Sequence, residues 1–223
     1  MNNDIKSVAP LVGSALLPEP TLQRLPWYLA YVSQLKDLGV ERVSSTQISR
    51  CLNVDSSQIA KDLSFLDIRG KTRIGYAVNE LESILRDFLG FQKPHPAVVI
   101  GVGSLGGALI QDSGLGNYGL DIVAGFDSDE AKIGNRGRVP VYHIDRLDEI
   151  SSSLGVEIAI ITVPHEYAET VADASVAAGI KALWNFTPHR LRPRFGVVMQ
   201  NTSIYSDLAL MYNRLEQLRR SRP

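Results

Sequence analysis

Apolar residues recur at helical spacing through the first part of the chain, at Leu22, Leu25, Leu29 and Val32 and again at Leu81, Ile84, Leu85 and Phe88. Past residue 93 the period changes. Short β-rich runs, Ala97–Ile100, Ile122–Phe126, Ile158–Val163 and Ile180–Trp184, alternate with helical stretches in the βαβ rhythm of a parallel sheet. The change falls at Lys93-Pro94-His95-Pro96, where two prolines break helix and stiffen the chain. The pattern predicts an α/β two-domain chain, helical over 1–92 and α/β over 93–202. A closing amphipathic helix lies within 203–223, with Leu208, Met211, Leu215 and Leu218 on one stripe.

Within the helical domain, Ser44 with Gln47 three residues later has the pattern of a capping box, and Asp55 with Gln58 repeats it. Two short helices therefore start near 45 and 56, separated by a turn at Asn53-Val54-Asp55, the layout of a helix-turn-helix. On the second helix Ile59, Leu63 and Leu66 face inward, with Ile48, Leu52 and Val54 from the first helix and the turn. Ser57, Lys61 and Ser64 fall on the opposite face, small polar residues around one cation, suited to a major groove. The stretch Arg69-Gly70-Lys71-Thr72-Arg73-Ile74-Gly75-Tyr76 follows, with the alternation of cations and turn glycines expected of a basic wing hairpin. The candidate DNA contacts are Ser44, Ser45, Ser56, Ser57, Gln58, Lys61 and Ser64 on the helices, and Arg69, Lys71, Arg73 and Tyr76 on the wing. Cys51 is expected on the inward side of the first short helix, as a small core residue.

The α/β domain opens on an apolar run into Gly101-Val102-Gly103-Ser104-Leu105-Gly106, the G-x-G-x-x-G pattern between a strand and a helix. Gly101 permits the tight turn, Gly103 leaves room for a pyrophosphate, and Gly106 lets helix and strand approach, while the helix N-terminus offers amide N–H groups to phosphate. The second strand ends at Asp127, twenty-one residues past Gly106, where a carboxylate accepts hydrogen bonds from ribose hydroxyls and repels a 2′-phosphate. This favours NADH and NAD+ over their phosphorylated counterparts, with Ser128, Lys132 and Ile133 beside the acid. The later strands end in Thr162-Val163-Pro164 and Asn185-Phe186-Thr187-Pro188, on the edge where ligands sit in open α/β sheets, and these line the expected nicotinamide end.

Composition refines this picture. The 223 residues are 44% hydrophobic with a formal net charge of −1, which excludes a globally basic coat for nucleic acid. Locally, residues 42–73 hold six cations against Asp55, Asp62 and Asp67, a surplus of three that gives salt-sensitive affinity for phosphate. The lone Cys51 excludes an intrachain disulfide and a cysteine-cluster metal site, and fits a reducing cytoplasm. No apolar run reaches the length of a membrane span, and Pro10 and Gly13 interrupt Val8–Leu17, which argues against a signal peptide.

A dehydrogenase needs a positioned acid or base and a substrate-anchoring cation; His165, His189, Arg190, Arg192 and Arg194 are the residues that could serve. The α/β domain leaves no second catalytic domain to cover a nicotinamide, so no residue is assigned to catalysis, and none to a metal. An NAD-dependent oxidoreductase with a helical dimerisation domain is the alternative, and a coenzyme A sensor a third, against which Asp127 argues.

The two halves together resemble the Rex family of bacterial redox-sensing transcriptional repressors over nearly the whole length. The similarity rests on Thr21–Leu29, Val54–Ser64, the wing through Gly75-Tyr76, and Gly101–Gly106. It continues through Phe126-Asp127 with Lys132-Ile133-Gly134, Val139–Tyr142, and Asn185–Pro188 with Arg190-Leu191. The resemblance implies a winged helix-turn-helix, a Rossmann-like NAD(H) domain, and a homodimer whose C-terminal helices are domain-swapped. It also implies a cytoplasmic repressor that binds palindromic operator DNA with NAD+ and releases it when NADH favours a closed state. Ala60 stands where relatives often carry arginine, and Gln111–Gly114 where they often carry a tyrosine that contacts an arginine and an aspartate. Arg24 and Asp207 match those two switch partners, and Tyr205 is the candidate for the missing phenol.

Overall fold

The computed structural model describes residues 17–71, 74–137 and 139–221. Arg73 of the expected wing and residues 8–16 of the leading apolar stretch lie outside the described residues. The chain divides into two compact units, Met1–Lys93 and Pro94–Pro223.

The N-terminal unit runs α1 (Glu19–Asp37), β1 (Arg42–Val43), α2 (Ser45–Leu52), α3 (Ser56–Ser64), β2 (Tyr76–Ala77) and α4 (Val78–Phe88). Both expected caps form. Ser44 accepts from the Gln47 amide while the Gln47 side chain returns to the Ser44 N–H, and Asp55 accepts from the amides of Ser57 and Gln58. Asn53, in the left-handed region at φ 52°, ends α2 and turns the chain into α3. Leu25, Leu29 and Val32 of α1, Ile48 of α2, Ile59 and Leu63 of α3 and Leu81 and Leu85 of α4 form one core. β2 pairs antiparallel with β1, and Lys71 and Gly75 exchange backbone hydrogen bonds at 3.1 and 2.8 Å.

Cys51 is exposed, contrary to expectation. Ile48 and Leu52 centre the inward face of α2, and at 100° per residue position 51 falls roughly 80° off that centre.

The C-terminal unit runs β3 (His95–Ile100), α5 (Ser104–Gln111), β4 (Leu120–Asp127), β5 (Gly134–Arg136), β6 (Val139–His143), α6 (Leu147–Ser153), β7 (Ile158–Ile161), α7 (Ala168–Ala177), β8 (Ala182–Asn185), β9 (Val198–Asn201) and α8 (Ile204–Arg220). Its sheet has the order β5-β6-β4-β3-β7-β8-β9, parallel throughout except for the antiparallel pair of β5 with β6. The six parallel strands therefore follow the doubly wound order in which the chain reverses direction across the sheet between β3 and β7. Apolar clusters cover both sheet faces, one containing Val98, Ile100 and Phe126 and the other Val99, Ile122 and Ile160. α8 buries none of its residues, and its stripe includes Met211, Leu215 and Leu218 at 53, 41 and 57% exposure. Among the described residues no helix is long and apolar enough to cross a membrane.

Candidate functional site

The glycine turn sits at the switch point, where β3 and β7 end side by side. Gly101 has φ +95°, and a Cβ there would lie 2.9 Å from the Thr162 backbone. Gly106 is tighter, since its Cβ would meet the Gly101 carbonyl oxygen at 2.1 Å and Thr162 Oγ1 at 2.7 Å. Thr162 Oγ1 donates to that same carbonyl at 2.7 Å, so turn, helix and β7 are tied at one point. Gly103 differs: a Cβ there would meet nothing within 4 Å, and the residue is the side-chain-free N-cap of α5. The first-turn amides of α5, from Ser104 and Leu105 onward, have no intrahelical acceptor and are open to an anion. A cavity of about 360 Å³ runs along α5 from Val102, Gly103 and Ser104 to Gly107 and Gln111.

Asp127 ends β4, only 8% exposed. Its Oδ2 accepts from the Val102 amide at 2.7 Å and Lys132 Nζ at 3.0 Å, and its Oδ1 from the Asp129 amide at 3.0 Å. Burial pushes its carboxyl up, but these donors outweigh that and hold it below the ordinary carboxylate value. The acid is thus anionic, aimed at the glycine turn, and flanked by exposed Ser128 and half-buried Lys132 and Ile133.

At the same sheet edge, Asn185 pairs in register with Ile161, the residue before Thr162. Val163 is half-buried and Pro164 and Pro188 are exposed, but Asn185 and Thr187 are occupied within their own turn. Asn185 Nδ2 donates to the His189 carbonyl at 2.7 Å and to Asn201 Oδ1 at 2.9 Å, its Oδ1 accepts from the Thr187 amide, and Thr187 Oγ1 donates to the His189 carbonyl. Those side chains shape the loop, and the half-buried Phe186 ring tilts against Trp184 at 4.6 Å and packs onto the apolar cluster of Val99, Ile110 and Ile160. The cations weighed as substrate anchors include Arg194, which is committed to Glu169 at 2.8 Å and Asp173 at 2.6 Å; His189 is also on Glu169, at 3.0 Å.

In the N-terminal unit Ser57, Lys61 and Ser64 are exposed together on α3, as are Arg69 and Lys71 beyond it, with Ser44, Ser45 and Ser56 half-buried at the helix starts. Ser64 Oγ donates to the Lys61 carbonyl and Ser57 Oγ to Asp55. Two expected contacts point elsewhere. Tyr76 is 8% exposed, its ring lying against Gly70 where β2 pairs with β1. The Gln58 side chain does not close a capping box but donates to Asp62 Oδ1 at 2.8 Å.

Asp62, which sequence reading counted only as a negative charge, is fully buried. Its position three residues past Ile59 and next to Leu63 put it on the inward stripe, and that was the available signal. It accepts from Thr21 Oγ1 (3.0 Å), Arg24 Nε and Nη2 (2.7 and 2.8 Å) and Tyr28 OH (2.7 Å). Burial raises its carboxyl, but Arg24, Tyr28, Gln58 and Thr21 together hold it below the ordinary value; Arg24 is pushed up in turn by Asp62, and Tyr28 by its own burial and then by its bond to Asp62. Arg24, one of the expected switch residues, is therefore ion-paired to α3. The other two, Tyr205 and Asp207, are exposed in the first turn of α8.

Comparison with known proteins bears on both units. Residues 17–64 match the family described as "Putative DNA-binding protein N-terminus", and residues 92–189 the family described as "CoA binding domain". The chain is 51% identical over 216 residues to the redox-sensing transcriptional repressor Rex of Bacteroides fragilis, covering 96% of each chain. Its fold is similar to that of RSP, a Rex-family repressor, in complex with beta-NAD+ and operator DNA, with a TM-score of 0.87 at 29% identity over 92% of this chain and 95% of the other. RSP in complex with beta-NADH aligns at a TM-score of 0.83 and the same 29% identity, over 92% of this chain and 97% of the other.

Proposed function

This chain belongs to the Rex family of redox-sensing transcriptional repressors, and from that membership we propose that it binds palindromic operator DNA as a homodimer and releases it when NADH replaces NAD+. The observation that carries the ligand half is the buried, anionic Asp127 hydrogen-bonded to Val102 of the glycine turn. A carboxylate so placed, at the end of the second strand of a doubly wound sheet, meets the adenosine ribose while the α5 amides meet the pyrophosphate. Gly101, Gly103, Ser104, Leu105 and Gly106 form the phosphate turn, Asp127, Ser128, Lys132 and Ile133 the adenosine end, and Thr162–Pro164 with Asn185–Pro188 the nicotinamide end.

α3 reads the major groove through Ser57, Lys61 and Ser64, and the turn closed by Lys71 and Gly75 serves as a basic wing with Arg69 and Lys71. The unpartnered apolar stripe of α8 supports dimerisation by exchange of this helix between two copies, with Arg24, Tyr205 and Asp207 taking part in the switch. NADH need prefer the released state by only a few kcal/mol to shift the population. A regulator of this kind acts in the cytoplasm and needs no catalytic residue.

The test uses a palindromic duplex selected by the full chain from a random library. Its binding is followed by fluorescence anisotropy while NADH or NAD+ is added. The expected outcome is weakened binding with NADH and retained binding with NAD+, each falling as salt rises. Operator affinity unchanged at saturating NADH overturns the sensing role.

A further inference from the structure

α3 is nine residues long, and its buried positions are Ile59, Asp62 and Leu63. A helix this short is marginal by itself, so its placement depends on what it docks against. Ile59 and Leu63 lie one turn apart and dock through apolar contact, which has no direction and tolerates small rotations about the helix axis. Asp62 is held differently. Thr21, Arg24 and Tyr28 present donors from successive turns of α1, and the two Arg24 bonds reach one carboxylate oxygen each, at 2.7 and 2.8 Å. Paired guanidinium–carboxylate bonds of this kind set a plane and an angle as well as a distance.

Energetics indicate what the arrangement serves. Desolvation offsets much of the attraction in a buried ion pair, and apolar residues of similar volume are commonly as stabilising. Position 62 lies on the same stripe as Ile59, Leu63 and Leu66, where a leucine would have met the needs of stability. Direction is what the carboxylate adds. Ser57, Lys61 and Ser64 project from the other side of the same helix, and on a helix of about 5 Å radius a rotation of about 20° carries such side chains about 2 Å. That displacement exceeds the range of a hydrogen bond to a base edge.

We propose that Asp62 is a positioning residue for operator recognition: clamped by Thr21, Arg24 and Tyr28 of α1, it sets the rotation of α3 and so the discrimination between operator and other DNA, without touching DNA itself. The inference rests on α3 being the helix that reads DNA.

The experiment compares anisotropy titrations of the selected palindrome and a scrambled duplex of equal length, with full chains carrying two kinds of change. Arg24→Lys keeps the charge but not the paired bonds. The combined variant Thr21→Val, Arg24→Met, Tyr28→Phe and Asp62→Leu replaces the whole cluster by apolar groups. Titrated without nucleotide, both are expected to bind scrambled duplex as the wild type does, while the preference for the palindrome falls about tenfold or more. If the combined variant folds and keeps its preference, whatever its melting temperature, the cluster does not set recognition and the proposal is overturned. Should that variant not fold, Arg24→Lys decides by the same ratio. A wild-type chain with no preference for any duplex would instead remove the reading of α3 as the DNA helix, an outcome distinguishable from failure of the clamp alone.

Discussion

The three motif glycines make a sharp prediction, because the structure assigns two of them different work. In Gly106→Ala the new methyl would lie 2.1 Å from the Gly101 carbonyl oxygen and 2.7 Å from Thr162 Oγ1. The first neighbour is backbone, so relief needs α5 to move roughly 1 Å, an overpacking worth about 3 kcal/mol. Alanine recovers about 1 kcal/mol of helix propensity, leaving a net loss of about 2 kcal/mol. For a unit of this size that lowers Tm by roughly 8 °C. Gly103→Ala meets nothing within 4 Å. It costs only the weaker capping of alanine, about 0.5 kcal/mol or roughly 2 °C. Its methyl occupies the approach to the pyrophosphate, however, and NADH affinity should fall about tenfold or more. Calorimetry of the C-terminal unit's transition and NADH fluorescence titration separate the two effects. The reasoning is refuted if Gly106→Ala melts within about 2 °C of wild type, or if Gly103→Ala loses as much stability as Gly106→Ala.

Three further outcomes are expected. Asp127→Asn keeps the shape but removes the charge that repels a 2′-phosphate, so the NADPH-to-NADH affinity ratio measured by fluorescence should rise about tenfold or more. Glu82, buried and bound to Lys36 and Arg86, is held below its ordinary value of 4.5 because those cations outweigh the upward push of burial. A depressed carboxyl contributes stability above its unfolded value and loses it as pH falls through the folded one, so Tm of the N-terminal unit should be flat down to about pH 4.5, then fall, with a shallower fall in Glu82→Gln. Leu208→Glu with Leu215→Glu places two charges on the α8 stripe and should convert the proposed α8-exchanged dimer to monomer in sedimentation, a wild-type chain that sediments as monomer removing that proposal.

Much of the fold was legible because the relevant forces are local. The caps at Ser44 and Asp55 depend on residues three positions apart, and the period change at residue 93 needs only the neighbouring side chains. The glycine turn and Asp127 follow from a spacing along one βαβ unit. β5, β6 and β9 escaped: Gly134-Asn135-Arg136 and Val198-Met199-Gln200-Asn201 lack a strong apolar alternation, Pro140 interrupts Val139–His143, and their pairing is supplied by neighbouring strands. The burial of Tyr76 escaped for a related reason. It follows from pairing with Val43, thirty-three residues earlier, which sets the ring against the core of the N-terminal unit.

Asp62 marks the deeper limit. Counted as a charge it lowers the basic surplus of the DNA-facing segment, yet enclosed against Arg24 it contributes little to the surface field. The donors that decide this lie 34 to 41 residues upstream, so no local window around α3 contains them. The complementary pattern was nonetheless present in two places at once. α1 carries Thr21, Arg24 and Tyr28 at helical spacing beside its apolar line, and α3 carries one acid on its own inward stripe. Each is an anomaly alone, a polar notch on a core-facing helix and a charge among leucines and isoleucines. A buried charge must find a partner or neutralise, so two such anomalies of opposite polarity in one small unit imply that they meet. A pair of this kind ties the two helices together in a single orientation.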